Sequence, residues 1–404
     1  MPKLFDNYKG MPKGLYVICF ATLINRLGDF VVPFLSLYLT QKIGMSAWAT
    51  GLIVTISCVI GIPAALIGGK VSDMCGRKNV YVYAQSISAL ALIPCAFTKN
   101  VYITILCLLI STFFNGFIRP AFESMIIDML SNEQRQAGFA LKYLSINVGV
   151  SVGPIIAGFL FNNFLPLLFI GDAITSFVAV TLIIINVKET YVAGKSIKVE
   201  AEAEKAEKGT IIDVFKKRPY LLLFLLLYMV YCFIYTQNKF SLPMTMNKMY
   251  INQGAKFLGY LYSINAITVL VLTPFISAIT RKKHQLTNMA IAGVVYAIGF
   301  GMIGFVNSFG MMVVSTIIWT IGEILSSISS GVYVANHSPS NYRARLNAIK
   351  SIGNSLGASL STAVSGVYIQ YYGVQTIWAF VFAISMMAAL FMFLLRKSTH
   401  KAEN

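Results

Sequence analysis

Apolar residues in this chain come in twelve runs, each long enough to cross the hydrocarbon core of a bilayer as a helix. They cover roughly 14–40, 47–69, 79–98, 101–127, 138–163, 165–187, 219–243, 257–280, 285–306, 308–334, 346–370 and 374–395. Backbone polar groups find no water inside lipid, so such runs must be helices that satisfy their own N–H and C=O groups. Most of the polar breaks between them are short and make consecutive runs antiparallel neighbours. One break is long. Residues 188–218 include Glu200 to Lys208, a solvated charge run of the kind found in linkers, with six runs on either side. The pattern predicts an all-α polytopic membrane protein of about twelve transmembrane helices in two pseudo-symmetric six-helix bundles. Its expected parts are an N-terminal bundle over 1–187, a cytoplasmic linker over 188–218 and a C-terminal bundle over 219–404. The first run is too long for a removable signal peptide and lacks a small-residue cleavage site.

Composition supports this reading, and charge adds an orientation. Of 404 residues, 57% are hydrophobic and 12% charged; a soluble domain carries about 25%. The net charge of +17 raises the possibility of nucleic-acid binding, but its distribution excludes it. Lys42, Lys99, Lys248 and Lys256 lie on one side, and Arg26, Arg119 and Lys239 fall inside runs. The remaining basic residues all lie on the side of the N-terminus, which places both termini in the cytoplasm.

An internal repeat relates the halves. An offset of 208 aligns Arg135 with Arg343, Ala140 with Ala348, Lys142 with Lys350, Gly149 with Gly357, Ser151 with Ser359 and Gly158 with Gly366. The fifth and eleventh runs are thus copies of one helix, as two bundles rocking about a central path require.

Several classes of chemistry are absent from the pattern. Cys19, Cys58, Cys75, Cys95, Cys107 and Cys232 are scattered without pairing or metal-ligand spacing. His284, His337 and His400 lie in or beside cytoplasmic loops, away from any carboxylate cluster. Gly69-Lys70 matches the end of a P-loop, but Ala64 and Val71 stand where that motif needs Gly and Ser or Thr. With no nucleophile–base pair either, the chain reads as no enzyme, with no cofactor and no metal.

Between the second and third runs lies Gly69-Lys70-Val71-Ser72-Asp73-Met74-Cys75-Gly76-Arg77-Lys78. This turn resembles the signature loop of the major facilitator superfamily, matching at Gly69, Asp73, Gly76, Arg77 and Lys78 and departing at Met74, where that family usually has a basic residue. Gly149-x-x-x-Gly153-Pro154-x-x-Ala157-Gly158 resembles the antiporter motif of the superfamily's drug:proton exporters, with Ala157 replacing a glycine. Spacing of four also makes it a seam for close helix packing. Arg119-Pro120-Ala121 through Asp128 to Arg135, with Asn25-Arg26-x-Gly28 and Pro33, and Gln237 with Leu242-Pro243, extends the likeness to the bacterial multidrug exporters along most of the chain. The resemblance implies that Arg77 pairs with Asp128. Asp73 can sit at the N-terminus of the eleventh helix, where the helix dipole attracts an anion. Together these would make the loop a gate. Lacking Gly and Asp, the second-half counterpart Thr280-Arg281-Lys282-Lys283 gives the latch one main side.

Charged residues inside the bilayer are costly and mark function by default. Arg26 and Asp29 lie three apart in the first run and can neutralise each other or take part in coupling. Arg119 and Glu123 lie four apart in the fourth run, open to the same two readings; Asp172 lies near the outer end of the sixth, and Lys239 can snorkel. Glu323 stands mid-run beside Trp319, Ser326, Ser327 and Ser330, without a basic residue within a turn. Burial favours its neutral form and wetting its carboxylate, the switch that proton coupling requires, although a protonated carboxyl bridging to a serine would look the same. Its Trp-Thr-Ile-Gly-Glu setting also resembles the exporters. Tyr228, Tyr231 and Tyr235 line one face of the seventh run, ahead of Gln237. An aromatic cavity with few polar groups suits amphipathic or lipophilic small molecules.

The expectation is a proton-coupled exporter of such compounds in a cell (inner or plasma) membrane, monomeric as the resemblance implies, with H+ as the coupling ion and no nucleic-acid partner. Glu323 and then Asp29 lead as carriers. A transporter of one defined metabolite class (sugar, peptide or organic anion), a lysophospholipid flippase and a non-transporting sensor remain as alternatives.

Overall fold

In the computed structural model, described over residues 10–190, 211–280, 283–337 and 343–403, the predicted runs lie on helices, the first of them on two. The helices are α1 (Lys13–Leu27), α2 (Val31–Leu37), α3 (Ala47–Cys75), α4 (Arg77–Leu92), α5 (Val101–Met129), α6 (Asn132–Asn163) and α7 (Leu165–Asn186). They continue with α8 (Ile211–Lys217), α9 (Pro219–Met249), α10 (Gly254–Thr280), α11 (Gln285–Met302), α12 (Phe309–His337), α13 (Arg343–Tyr372) and α14 (Ile377–Glu403). Among the described residues, eleven spans, Lys13–Lys42 among them, are long and apolar enough to cross a membrane. The twelfth long helix, α13, has 30 residues and a Ser-, Asn- and Gly-rich sequence that dilutes its apolar character. The Glu200–Lys208 charge run lies outside the described residues.

Two local features depart from the hydropathy pattern. The first run is broken: α1 ends at Leu27 and α2 begins at Val31, followed by a π-helical turn over Tyr38–Lys42. Gly28 sits at the break, where a β-carbon would lie 1.8 Å from Thr175 Oγ1 of α7, so only glycine lets α7 approach there. The charged turn between the second and third runs is shorter than its polarity suggests. Helix α3 continues through Cys75, and Gly76 alone, at φ 96°, reverses the chain into α4. That backbone conformation is open mainly to glycine.

The chain gathers into two compact units. The first comprises Met1–Gly44, Ile56–Gly194 and Met246–Ile267, and the second Met45–Thr55, Lys195–Thr245 and Thr268–Asn404.

In the first unit, α1 packs against α6 and α7, and α4 against α5 and α7. Leu15, Ile18 and Ala21 of α1 share a core with Met125 and Ile126 of α5 and Ala179 and Ile183 of α7. Small residues set these distances. A β-carbon on Gly149 would lie 2.6 Å from Arg26 Cβ, and one on Gly153 2.8 Å from Leu27 O. Further along α6, Gly158 meets Ala255 O at 2.6 Å by the same measure, and Gly259 meets Pro154 O at 2.3 Å.

In the second unit, α11 packs on α12 and α14. Phe300 is stacked between Trp319 (5.4 Å) and Trp378 (6.1 Å), and Trp378 Nε1 donates to Thr245 Oγ1 at 3.1 Å. The repeat reappears as geometry. Gly357 abuts Met229 O of α9 (2.3 Å from a β-carbon), as its counterpart Gly149 abuts α1. Gly366 abuts Ala47 O at the start of α3 (2.9 Å), as Gly158 abuts the start of α10.

Candidate functional site

The predicted residues fall into separate groups, three of them in the first unit. At the break in the first span, Arg26 Nη1 donates to Asp29 Oδ2 at 2.6 Å. Ending α1 frees backbone donors at the start of α2. Asp172, buried on α7, takes one of them, accepting from Val31 N–H at 3.3 Å. Asn25 and Gln85 both donate to Ser176 Oγ, one turn along α7 from Asp172. Two carboxylates and a guanidinium therefore converge where the helix is interrupted. Asp172 reads from sequence as a headgroup-seeking residue near a helix end, since the break that recruits it is invisible in a continuous apolar run.

Toward the other end of this unit, Arg119 Nε and Glu123 Oε1 lie 3.3 Å apart on α5. Glu123 also faces Lys142 Nζ of α6 at 3.7 Å, and that ammonium lies over the rings of Phe122 and Phe139 at 5.4 and 5.9 Å. Lys142 counts by sequence among the cytoplasmic charges, yet only 14% of its side chain is exposed.

The signature turn is held from within the same unit. Arg77 forms an ion pair with Asp128 and donates from Nη1 to Ser124 O at 3.0 Å. Glu189, just after α7, caps α4: its carboxylate accepts from the backbone N–H groups of Arg77 (3.0 Å), Lys78 (3.3 Å) and Asn79 (3.3 Å). Lys78 Nζ donates to Ile184 O at 2.8 Å. Glu189 escapes sequence reasoning because a lone acid after a span has no spacing signal toward a helix far away in the chain. The side chain of Asp73 lies outside the described residues. Gly69 has Pro120 Cβ 3.8 Å from the position of a β-carbon, an ordinary contact.

The second unit holds the acid of the tenth predicted run. Tyr235 Oη of α9 donates to Glu323 Oε1 of α12 at 2.8 Å. Around them lie Trp319, edge-on to Tyr235 at 6.3 Å, and Tyr296 of α11, 6.5 Å from Tyr235. The Trp319 indole N–H is buried and, among the described residues, has no hydrogen-bond partner. The other candidates of α9 face elsewhere. Tyr231 donates to Met289 O at 2.6 Å and is closed into the α11 interface. Gln237, fully buried, donates from Nε2 to Ser361 Oγ (2.9 Å) and Ser365 Oγ (2.8 Å) of α13 and accepts from Ser241. Of the α9 side chains singled out by sequence, the structure joins Tyr235 to the acid and uses Tyr231 and Gln237 for packing. Among the described residues no group of His, Cys, Asp and Glu side chains could hold a metal ion.

Comparison with known proteins fits this architecture. The family model "Major Facilitator Superfamily" matches residues 18–346 and 288–404. The chain is 25% identical over 323 residues to the uncharacterized MFS-type transporter YqjV of Bacillus subtilis (79% of this chain, 77% of the relative). It is 21% identical over 355 residues to a Na(+), Li(+), K(+)/H(+) antiporter of Planococcus maritimus (82% and 83%). Quinolone resistance protein NorA of Staphylococcus aureus is 24% identical over 188 residues, 46% of this chain and 48% of NorA. A solved POT family transporter in complex with 5-aminolevulinic acid superposes with a TM-score of 0.79 at 15% identity, covering 96% of each chain, a likeness of fold. From its helices, its repeat and this family match, the chain belongs to the major facilitator superfamily and is a secondary transporter of that type.

Proposed function

We propose that this transporter exports amphipathic or lipophilic compounds from the cytoplasm in exchange for protons, by alternating access in a cell membrane with both termini cytoplasmic. The observation that carries the reading is Glu323, an acid within a membrane helix whose carboxylate is held by Tyr235 among Trp319 and Tyr296. A carboxyl in aromatic surroundings is favoured neutral when dry and ionised when wetted or facing a cation, so proton and cationic substrate compete for one group. The aromatic rings offer apolar and cation–π contact without demanding a fixed hydrogen-bond pattern, which suits varied substrates. Two relatives support the class by name, one a cation/proton antiporter and one a quinolone resistance protein.

The acids at the first-span break, Asp29 and Asp172, are second candidates for carrying a proton. Arg77 with Asp128 would serve the gate rather than the substrate. Under the proposed orientation, the contacts of Gly158 with Ala255 and of Gly366 with Ala47 close the outer ends of these helices.

The test uses purified protein in liposomes with an inside-acid pH gradient. A panel of unrelated lipophilic cations and neutral dyes is compared for the wild type and Glu323→Gln. Gradient-driven movement of several compounds, lost in the variant, is the expected outcome. Movement of a single metabolite class alone would replace the multidrug reading. Normal transport by Glu323→Gln would shift the proton site to Asp29.

A further inference from the structure

The two lysines related by the internal repeat face different surroundings. Lys142 on α6 has Glu123 at 3.7 Å. Lys350, at the equivalent place on α13, has no carboxylate within ion-pair distance among the described residues. Its ammonium lies 4.8 Å from the centroid of the Tyr228 ring, with Cys232 beside the Tyr228 hydroxyl. Lys350 stands seven residues into α13, about 10 Å of rise from the helix start, and it is partly buried. Taking an ammonium out of water is costly unless an opposite charge or hydrogen-bond acceptors offset it. A ring face offsets only part of that cost, and the three N–H donors of the ammonium still call for acceptors.

Position along α9 adds a second constraint. Tyr228 and Tyr235 are seven residues apart, two turns on one helical face, and so separated by about 10 Å along the axis. Tyr235 holds Glu323, and Tyr228 lies under Lys350. One face of α9 thus presents a carboxylate at one level and an ammonium two turns away, with tyrosine rings at both. We propose that Lys350 over Tyr228 is an anion-binding subsite, and that the compounds recognised include zwitterionic amphiphiles. Their carboxylate docks on Lys350, their cationic group reaches toward Glu323, and their aromatic body lies along α9. That these compounds are also transported rests on the efflux reading; that they bind does not.

The test measures binding directly. An aryl-piperazine carboxylic acid and its primary carboxamide share one ring system and differ by one negative charge. Each is titrated by quenching of tryptophan fluorescence in nanodiscs of zwitterionic lipid, for wild type, Lys350→Gln and Lys350→Arg. A charge-assisted contact corresponds to roughly tenfold in affinity, so wild type should bind the acid about tenfold tighter than the amide. Lys350→Gln should erase that ratio while leaving the amide unchanged, and Lys350→Arg should keep it. Equal binding of acid and amide by wild type, or an unchanged ratio in Lys350→Gln, would overturn the proposal. If the Gln variant does not fold, Lys350→Met, which keeps an apolar stem over Tyr228, is read in its place with the same two outcomes. Adding phosphatidylglycerol to the discs separates the sources of the anion: competition that depends on Lys350 supports the subsite and makes a lipid phosphate a rival occupant. If the binding ratio holds but a pH gradient moves neither the acid nor the panel of cations and dyes, the subsite stands and the efflux reading fails.

Discussion

Removing the Glu189 side chain should loosen the start of α4, and the expected size follows from its contacts. The carboxylate accepts from three consecutive backbone N–H groups, those of Arg77, Lys78 and Asn79, at 3.0, 3.3 and 3.3 Å. These are the orphan donors that any helix N-terminus must satisfy. No side chain of the adjoining residue, Gly76, can do so, because it has none. Replacing a capping acceptor costs about 0.5–2 kcal/mol. The negative charge at the positive end of the helix contributes a further ~0.3–1 kcal/mol where exposed. Because these hydrogen bonds are exposed, water replaces part of what is lost, and Glu189→Ala should cost about 1–2 kcal/mol locally. Local opening of that size accelerates amide exchange by roughly 5- to 30-fold. Hydrogen exchange followed by mass spectrometry on the peptide spanning Gly76 to Val82 reads it directly. Glu189→Gln, which keeps an acceptor without the charge, should fall between. The reasoning fails if exchange in that peptide is unchanged in Glu189→Ala while the rest of the protein behaves as wild type.

Other substitutions test the remaining contacts. Asp128→Asn removes a counter-charge from the Arg77 guanidinium, 20% exposed; breaking such a pair costs on the order of 3 kcal/mol, seen as a lower melting temperature in detergent, whereas the paired apolar change Arg77→Met with Asp128→Leu should recover most of it. Gly158→Leu and Gly366→Leu each force a side chain against a neighbouring carbonyl and should cost about 1–3 kcal/mol by overpacking, while Gly353→Ala, with nothing within 4 Å of its β-carbon position, should leave melting unchanged or raised. Gln237→Leu strands acceptors and donors on Ser241 and Ser365 in a buried setting and should destabilise by about 1–3 kcal/mol, measured by the same melting assay without loss of substrate selectivity.

The membrane helices were legible because lipid imposes a length and a composition on every span, and runs such as 79–98 and 285–306 carry that signal in full. The repeat was legible for a related reason: Gly149, Gly158, Gly357 and Gly366 are where helices touch closest, and a larger residue would have no room. The Arg77–Asp128 pair followed from the family likeness. Hydropathy could not show the break at Gly28–Phe30, because Leu27, Phe30 and Val31 are as apolar in a turn as in a helix. Once the break is known, the role of Asp172 follows, since freed donors need an acceptor. The single-residue turn at Gly76 was obscured by Lys70, Ser72 and Asp73, which are polar but helical. For the α9 tyrosines, spacing gives one face but not the neighbours, so Tyr235 beside Glu323 and Tyr231 on Met289 look alike until α11 and α12 are in place.

Proton release on substrate binding tests the coupling role of Glu323 most directly. Purified protein in weakly buffered detergent is mixed with a lipophilic cation, and a pH indicator follows the protons set free. If Glu323 holds a proton that the cation displaces, wild type acidifies the medium in proportion to bound substrate, and Glu323→Gln binds the cation without acidification. Undiminished proton release from Glu323→Gln would contradict the coupling role of this acid.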